Sequence, residues 1–175
     1  VQKVGTEEAV RVTSAKERDI SGYFWKGNNK IMYLQDKAGD ENFKLYSVNK
    51  DGSNLKLLSP EDKVRTEIID DLEEIDDYML VSMNERNPQA FDVYRINVNT
   101  GEKKMIAENP GNIMGWVTDH DGKLRVATAS DGVNSVLLYR DTESDPFKEV
   151  LVTNFREGVD PLFFTFDNKY LYASS

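Results

Sequence analysis

The chain repeats itself. Four apolar, strand-like runs, IMYLQD at 31–36, YMLVSM at 78–83, LRVATA at 124–129 and YLYASS at 170–175, start 47, 46 and 46 residues apart. A second series follows the first three: FKLYSVN from Phe43, FDVYRINV from Phe91 and SVLLYRD from Ser135, with Tyr46, Tyr94 and Tyr139 separated by 48 and 45 residues. Shorter alternating runs close each unit, LKLLS from Leu55, KKMIAE from Lys103 and KEVLVT from Lys148. A further run opens each unit and ends at Trp25, Leu72, Asp119 and Asp167 in turn. A fixed period of this length, with four strands per period, leaves few architectures open.

The turns are written locally. Asn28-Asn29, Asp121-Gly122 and Asp167-Asn168 lie between first and second strands, and Asp51-Gly52 and Thr100-Gly101 between third and fourth. Asn, Asp and Gly tolerate the positive φ of tight hairpins, so each unit reads as an antiparallel meander. The inner runs IMYL, YMLV and VLLY are nearly continuous in apolar residues, as strands covered on both faces must be, whereas the fourth strands alternate as at a wet rim. The fold class predicted is therefore all-β: a β-propeller segment of four-stranded antiparallel blades. Three full blades fall near 19–59, 66–108 and 113–154, with partial blades at 9–14 and 161–175, making 1–175 one partial propeller domain. Two alternatives fit parts of the pattern: a two-sheet sandwich, which needs no fixed period, and an amphipathic helix between Pro60 and Asp77, from the spacing of Val64, Ile68, Ile69, Leu72 and Ile75.

Charge and composition narrow the function. Asp and Glu number 31 against 22 Lys and Arg, a formal charge of −9, so the chain's field repels nucleic acid and anionic membrane. There is no Cys and one His, which excludes a disulfide framework and a thiolate metal site; no cofactor or metal is called for. No apolar run reaches 18 residues and no basic start precedes an apolar stretch, so neither a membrane span nor a signal peptide is expected in this segment, and cytoplasm and periplasm stay equally open. The start at Val1 reads as a processed or excised segment.

RVTSAKERDISGYFWKGNNKIMYLQDKAGDENFKLYSVNKDG, Arg11 to Gly52, together with GVDPLFFTFDNKYLYASS at 158–175, resembles the N-terminal propeller of bacterial serine peptidases of the prolyl oligopeptidase family. The resemblance is strongest to the acylaminoacyl-peptidase and dipeptidyl-peptidase-like branch. Its most specific block runs from Trp25 through Gly39-Asp40-Glu41-Asn42 to Tyr46; the rest of the pattern is shared with many propellers, TolB-like ones included. The resemblance implies a non-catalytic scaffold and substrate-gating cap for small peptides over an α/β-hydrolase domain. That domain is absent from these residues, which contain no G-x-S-x-G elbow. A stand-alone TolB-like propeller that binds a protein partner is the rival reading.

Candidate chemistry is thin, and no catalytic residue is assigned. His120 sits at a hairpin tip between Asp119 and Asp121, where exposure to water is expected rather than a Ser-His-Asp triad. Asp119, Asp121 and Gly122 match part of a calcium loop whose later ligands are missing. The acidic run Asp70, Asp71, Glu73, Glu74, Asp76 and Asp77 reads as a solvated connection, with a cation or a peptide amine as the functional alternative, and no carboxylate pair stands out for glycoside hydrolysis. Trp25 and Trp116 occupy similar slots and are expected in the core. Asp40, Glu41 and Asn42, between second and third strands, are the residues expected to gate substrate or to meet the hydrolase domain; a structural turn is the alternative.

An open array leaves an apolar blade face at each end. A face of ~500 Å² forgoes roughly 12 kcal/mol of burial at about 25 cal/mol per Å². Partners follow: the hydrolase domain and further blades of a parent chain, its peptide substrate, or self-association through the open faces.

Overall fold

The computed structural model describes every residue except 17, 62, 155 and 175, so the end of the run 170–175 lies outside the described residues. The first four strands are β1 (Gly22–Lys26), β2 (Lys30–Gln35), β3 (Lys44–Asn49) and β4 (Lys56–Leu57). Next come β5 (Thr66–Asp70), β6 (Tyr78–Asn87), β7 (Ala90–Asn97) and β8 (Lys103–Ala107), then β9 (Ile113–Thr118), β10 (Leu124–Ser130), β11 (Asn134–Tyr139) and β12 (Lys148–Asn154). β13 (Asp160–Phe164) and β14 (Leu171–Ser174) close the chain. They form three four-stranded sheets, each an uninterrupted stretch of sequence in which every strand pairs antiparallel with the next, plus the β13-β14 hairpin. The chain is thus an all-β propeller segment. No helix occurs among the described residues of 60–77, where β5 runs instead and Leu72, at φ +52, turns the chain toward β6.

The chain divides into two compact units, Val1–Met105 and Ile106–Ser175. In the first, the sheets β1–β4 and β5–β8 stack face to face. Met32, Leu45 and Leu58 from one and Met79, Val81, Met83 and Ile96 from the other form a single buried cluster. The opposite face of the first sheet is apolar too: Ile31, Tyr33 and Val48 pack with Val12, Ile20 and Tyr46. Tyr33 and Tyr46 are direct cross-strand partners with rings stacked at 5.0 Å. An apolar cluster on each face of one sheet is what a blade packed between neighbours requires, whereas a sandwich sheet needs only one. Val12 belongs to the predicted partial blade 9–14, but residues 10–14 carry no strand; the local pairing is an isolated bridge between Gln2 and Ala9. A fourth strand exists only by pairing with the third strand of its own blade, and no strand precedes β1 among the described residues.

Side chains of the first sheet also clip onto backbone carbonyls of the second. Lys26, only 3% exposed, donates to the carbonyls of Asp71 and, at 2.8 Å, Leu72. Lys44, also buried, donates to Val64 O at 2.6 Å, and the half-buried Lys56 donates to Asn99 O at 2.6 Å. Beside Lys26, Gly27 (φ +56) has the Asp76 carboxylate 2.8 Å from where a Cβ would stand, so only glycine permits this approach. Glu73, Glu74, Asp76 and Asp77 stay exposed, as a solvated connection requires, while the carbonyls of Asp71 and Leu72 and the Asp76 side chain lie against the first blade. Burial pushes the Lys26 ammonium's pKa down, and the charges of Asp71, Asp76, Asp70 and Asp77 oppose that shift.

Trp25 does not join the core. Phe24 packs against the shared cluster, so strand alternation turns its neighbour Trp25 to the other face, where it is 52% exposed. Trp116 is half-buried, 5.9 Å from the ring of Phe147. In the second unit, Phe164 of β13 is buried beneath the guanidinium of Arg125, 5.4 Å from its ring centroid. The fourth strands depart from simple alternation: β12 presents Val150, Leu151 and Val152 to solvent.

Candidate functional site

Between β2 and β3 the chain forms a small ordered platform around Asp36. Its carboxylate is almost fully covered and takes a two-pronged hydrogen bond from Arg18, with Nε donating to Oδ1 at 3.0 Å and Nη2 to Oδ2 at 3.3 Å. The amide of Glu41 donates to the same carboxylate at 3.3 Å, and Gln35 holds Arg18 from behind through its carbonyl at 2.7 Å. The Arg18 hydrogen bond holds the Asp36 carboxyl below the usual carboxylate range; burial opposes it, and the Glu41 amide and Arg18's charge add to it.

Of the three residues expected to gate substrate, Asp40 and Asn42 serve the loop itself. Asp40 accepts the Lys37 amide at 3.3 Å and the Asn42 amide at 3.1 Å on Oδ1, and the Asn42 side-chain amide at 3.2 Å on Oδ2. Those bonds, the Asn42 side chain first, lower its pKa. Ala38, Gly39 and Glu41 all have positive φ, and Gly39 lies 3.8 Å, measured from an ideal Cβ, from the Arg18 guanidinium. Glu41 is left with its side chain exposed. The loop is therefore a hydrogen-bonded turn that presents Glu41 to solvent.

Asp36 yields a pH test. Its folded pKa lies below the unfolded value of about 3.9, so its stabilisation is complete above that value and is lost as pH falls through the folded one. In thermal melts, Asp36→Asn should lower the melting temperature at pH 6, and the gap from the parent should shrink as pH drops below about 4. A gap of constant size would mean that the carboxylate charge does not matter.

Beside the platform opens a cleft of about 590 Å³, lined in part by Lys16, Arg18, Asp36, Lys37, Lys44, Tyr46 and Glu61. Elsewhere, His120 does more than meet water. Although exposed, its Nε2 lies 2.9 Å from Phe164 O, its amide donates to Asn168 Oδ1 at 2.9 Å, and its ring stacks on Phe166 at 5.0 Å. It joins the third sheet to the β13-β14 hairpin. Asp119 is buried; its Oδ1 accepts the amides of Asp121 and Lys123, and its Oδ2 pairs with Arg125 at 3.3 Å. Turn chemistry thus occupies that carboxylate. Among the described residues no three His, Asp or Glu side chains gather as a metal site, and no helix is long and apolar enough to cross a membrane.

No protein-family model matches the chain. Over 94% of its length it is 31% identical to dipeptidyl aminopeptidase BIII of Pseudoxanthomonas mexicana, and over 93% it is 26% identical to dipeptidyl peptidase family member 6 of Caenorhabditis elegans. It spans 24% of the length of either relative. Among solved structures, TolB from Acinetobacter baumannii aligns over 86% of this chain and 37% of its own, with a TM-score of 0.57 at 17% identity. A structure from a study of two prolyl endopeptidases aligns over 83% of this chain and 21% of its own, with a TM-score of 0.59 at 13% identity. The structural likenesses agree on the propeller fold, and the sequence likenesses on a portion of a peptidase.

Proposed function

We propose that this segment, a propeller fragment of a peptidase of the prolyl oligopeptidase family, is a non-catalytic scaffold and substrate-gating cap over an α/β-hydrolase domain carried by the same parent chain. The observation that supports this reading is the sequence relation to dipeptidyl peptidases along nearly the whole chain, which covers only a fraction of each relative. The parent would be a serine-type peptidase whose nucleophile lies outside these residues. The reading frame beyond the Ser175 codon tests this: a G-x-S-x-G elbow between a strand and a helix is expected. Further blades followed by a stop codon would overturn it in favour of a TolB-like binding module, the reading to which the TolB fold likeness lends weight.

Gating, in this reading, falls to the β2–β3 loop. In the intact parent, replacing Asp40, Glu41 and Asn42 together with Ala should change the ratio of kcat/KM for long and short peptides several-fold while the activity on the shortest is kept. An unchanged ratio would leave the three residues as turn builders alone. The open faces fit neighbouring blades: Tyr23 and Trp25 are exposed on the first sheet, and Leu162, Phe163 and Tyr172 on the last hairpin. Blades of the parent chain would cover both, and association of two copies is the alternative that sedimentation of the isolated segment would expose.

A further inference from the structure

We infer that the cleft beside the β2–β3 loop is an anion site that receives a peptide carboxylate through Lys16 and Lys37. The chain as a whole is strongly acidic, at −9, yet this cleft is lined by four cations, Lys16, Arg18, Lys37 and Lys44, and only two carboxylates, Asp36 and Glu61.

Two of the cations are committed to the fold. Arg18 is held by Asp36, and Lys44 donates to Val64 O. The charge of Arg18 is balanced by Asp36 and Lys44 is tied to the backbone, so neither is free to turn toward a ligand. Lys16 and Lys37 are different: both are exposed, and neither ammonium has a hydrogen-bond or ion-pair partner among the described residues. Each can bend a flexible stem toward an anion. Glu61 lies near enough to Tyr46 to help raise that phenol's pKa, after burial, so the cleft carries its unpaired negative charge beside Tyr46.

The walls suit a peptide. Ala15, Ala38, Leu57 and the Tyr46 ring supply apolar surface, and a volume of about 590 Å³ falls within the roughly 300–1,000 Å³ of small-ligand sites. Because both lysines are exposed, their attraction for a carboxylate is screened by salt, which gives the site a salt dependence that can be read directly. The choice of a peptide as bearer of the carboxylate rests on the peptidase reading above; the anion site itself does not.

Calorimetric titration of the 175-residue chain at low salt tests both parts, with Ala-Ala-Ala, its C-terminal amide and succinate as probes. The tripeptide acid should bind at least about tenfold more tightly than its amide and more tightly than succinate, and should weaken with added salt. Lys16→Ala/Lys37→Ala should weaken the acid about tenfold or more with an unchanged melting temperature, whereas Lys104→Ala, at an exposed site outside the cleft, should not. Equal binding of acid and amide, or no effect of the double variant, overturns the site. Succinate binding as tightly as the tripeptide keeps the anion site and overturns the peptide as its occupant.

Discussion

Leu45→Ala should cost about 2–5 kcal/mol of unfolding free energy, read as a fall in the urea midpoint, and lower the melting temperature by roughly 4–20 °C. Leu45 is fully buried in the cluster shared by the first two sheets, opposite Leu34 on the neighbouring strand, so truncation opens a cavity between blades rather than within one. Its backbone is pinned as well: the amide donates to Ser59 Oγ at 2.9 Å, and the carbonyl accepts the Leu58 amide at 2.8 Å. That anchoring limits how far the site can collapse to fill the void. Val150→Ala, at an exposed position of β12, should change the unfolding free energy by less than about 0.5 kcal/mol. A loss below about 1 kcal/mol at Leu45 would mean that the sheets do not share a core.

Lys26→Met should be nearly as damaging, at about 2–4 kcal/mol by the same measurement, although it exchanges a charge for an apolar side chain of similar length. The cost arises in the second sheet's loop, where the carbonyls of Asp71 and Leu72 lose a charged donor in a place that water reaches poorly. The acidic run Asp70–Asp77 also loses the cation that balances it, which adds repulsion among its carboxylates. Lys50→Met makes the contrast: Lys50 reaches Asn28 O at 3.2 Å in an exposed turn, where water replaces it at little cost. Equal effects at the two lysines would deny Lys26 its role as a clip.

The architecture could be read from sequence because its causes are local. Gly52, Gly101, Gly122 and Asn168 all have positive φ at turns where the dipeptides called for it, and the inner strands sit where the continuous apolar runs were. What escaped the sequence are bonds between residues far apart in it. Nothing around Lys26 announces that it will be buried, since the carbonyls that make this tolerable lie about 45 positions later. Asp36 and Arg18 were likewise silent, being a common pair of residue types whose meeting depends on how the chain before β1 folds back. Trp25 misled for a related reason. A large aromatic in a strand suggests the core, but which face is inward depends on the packing of Phe24, one residue away. Of the candidate loop, the position and the structural-turn alternative were visible, and what was not was which of its residues would make the turn's hydrogen bonds.

The enclosed ammonium groups of Lys26 and Lys44 give the first unit a built-in timer. Amine-directed acylating reagents will modify the peripheral lysines at once and reach these two only when the sheets momentarily part. Their labelling rate, followed by mass spectrometry, therefore reports how often adjacent blades breathe, without any probe being added to the chain.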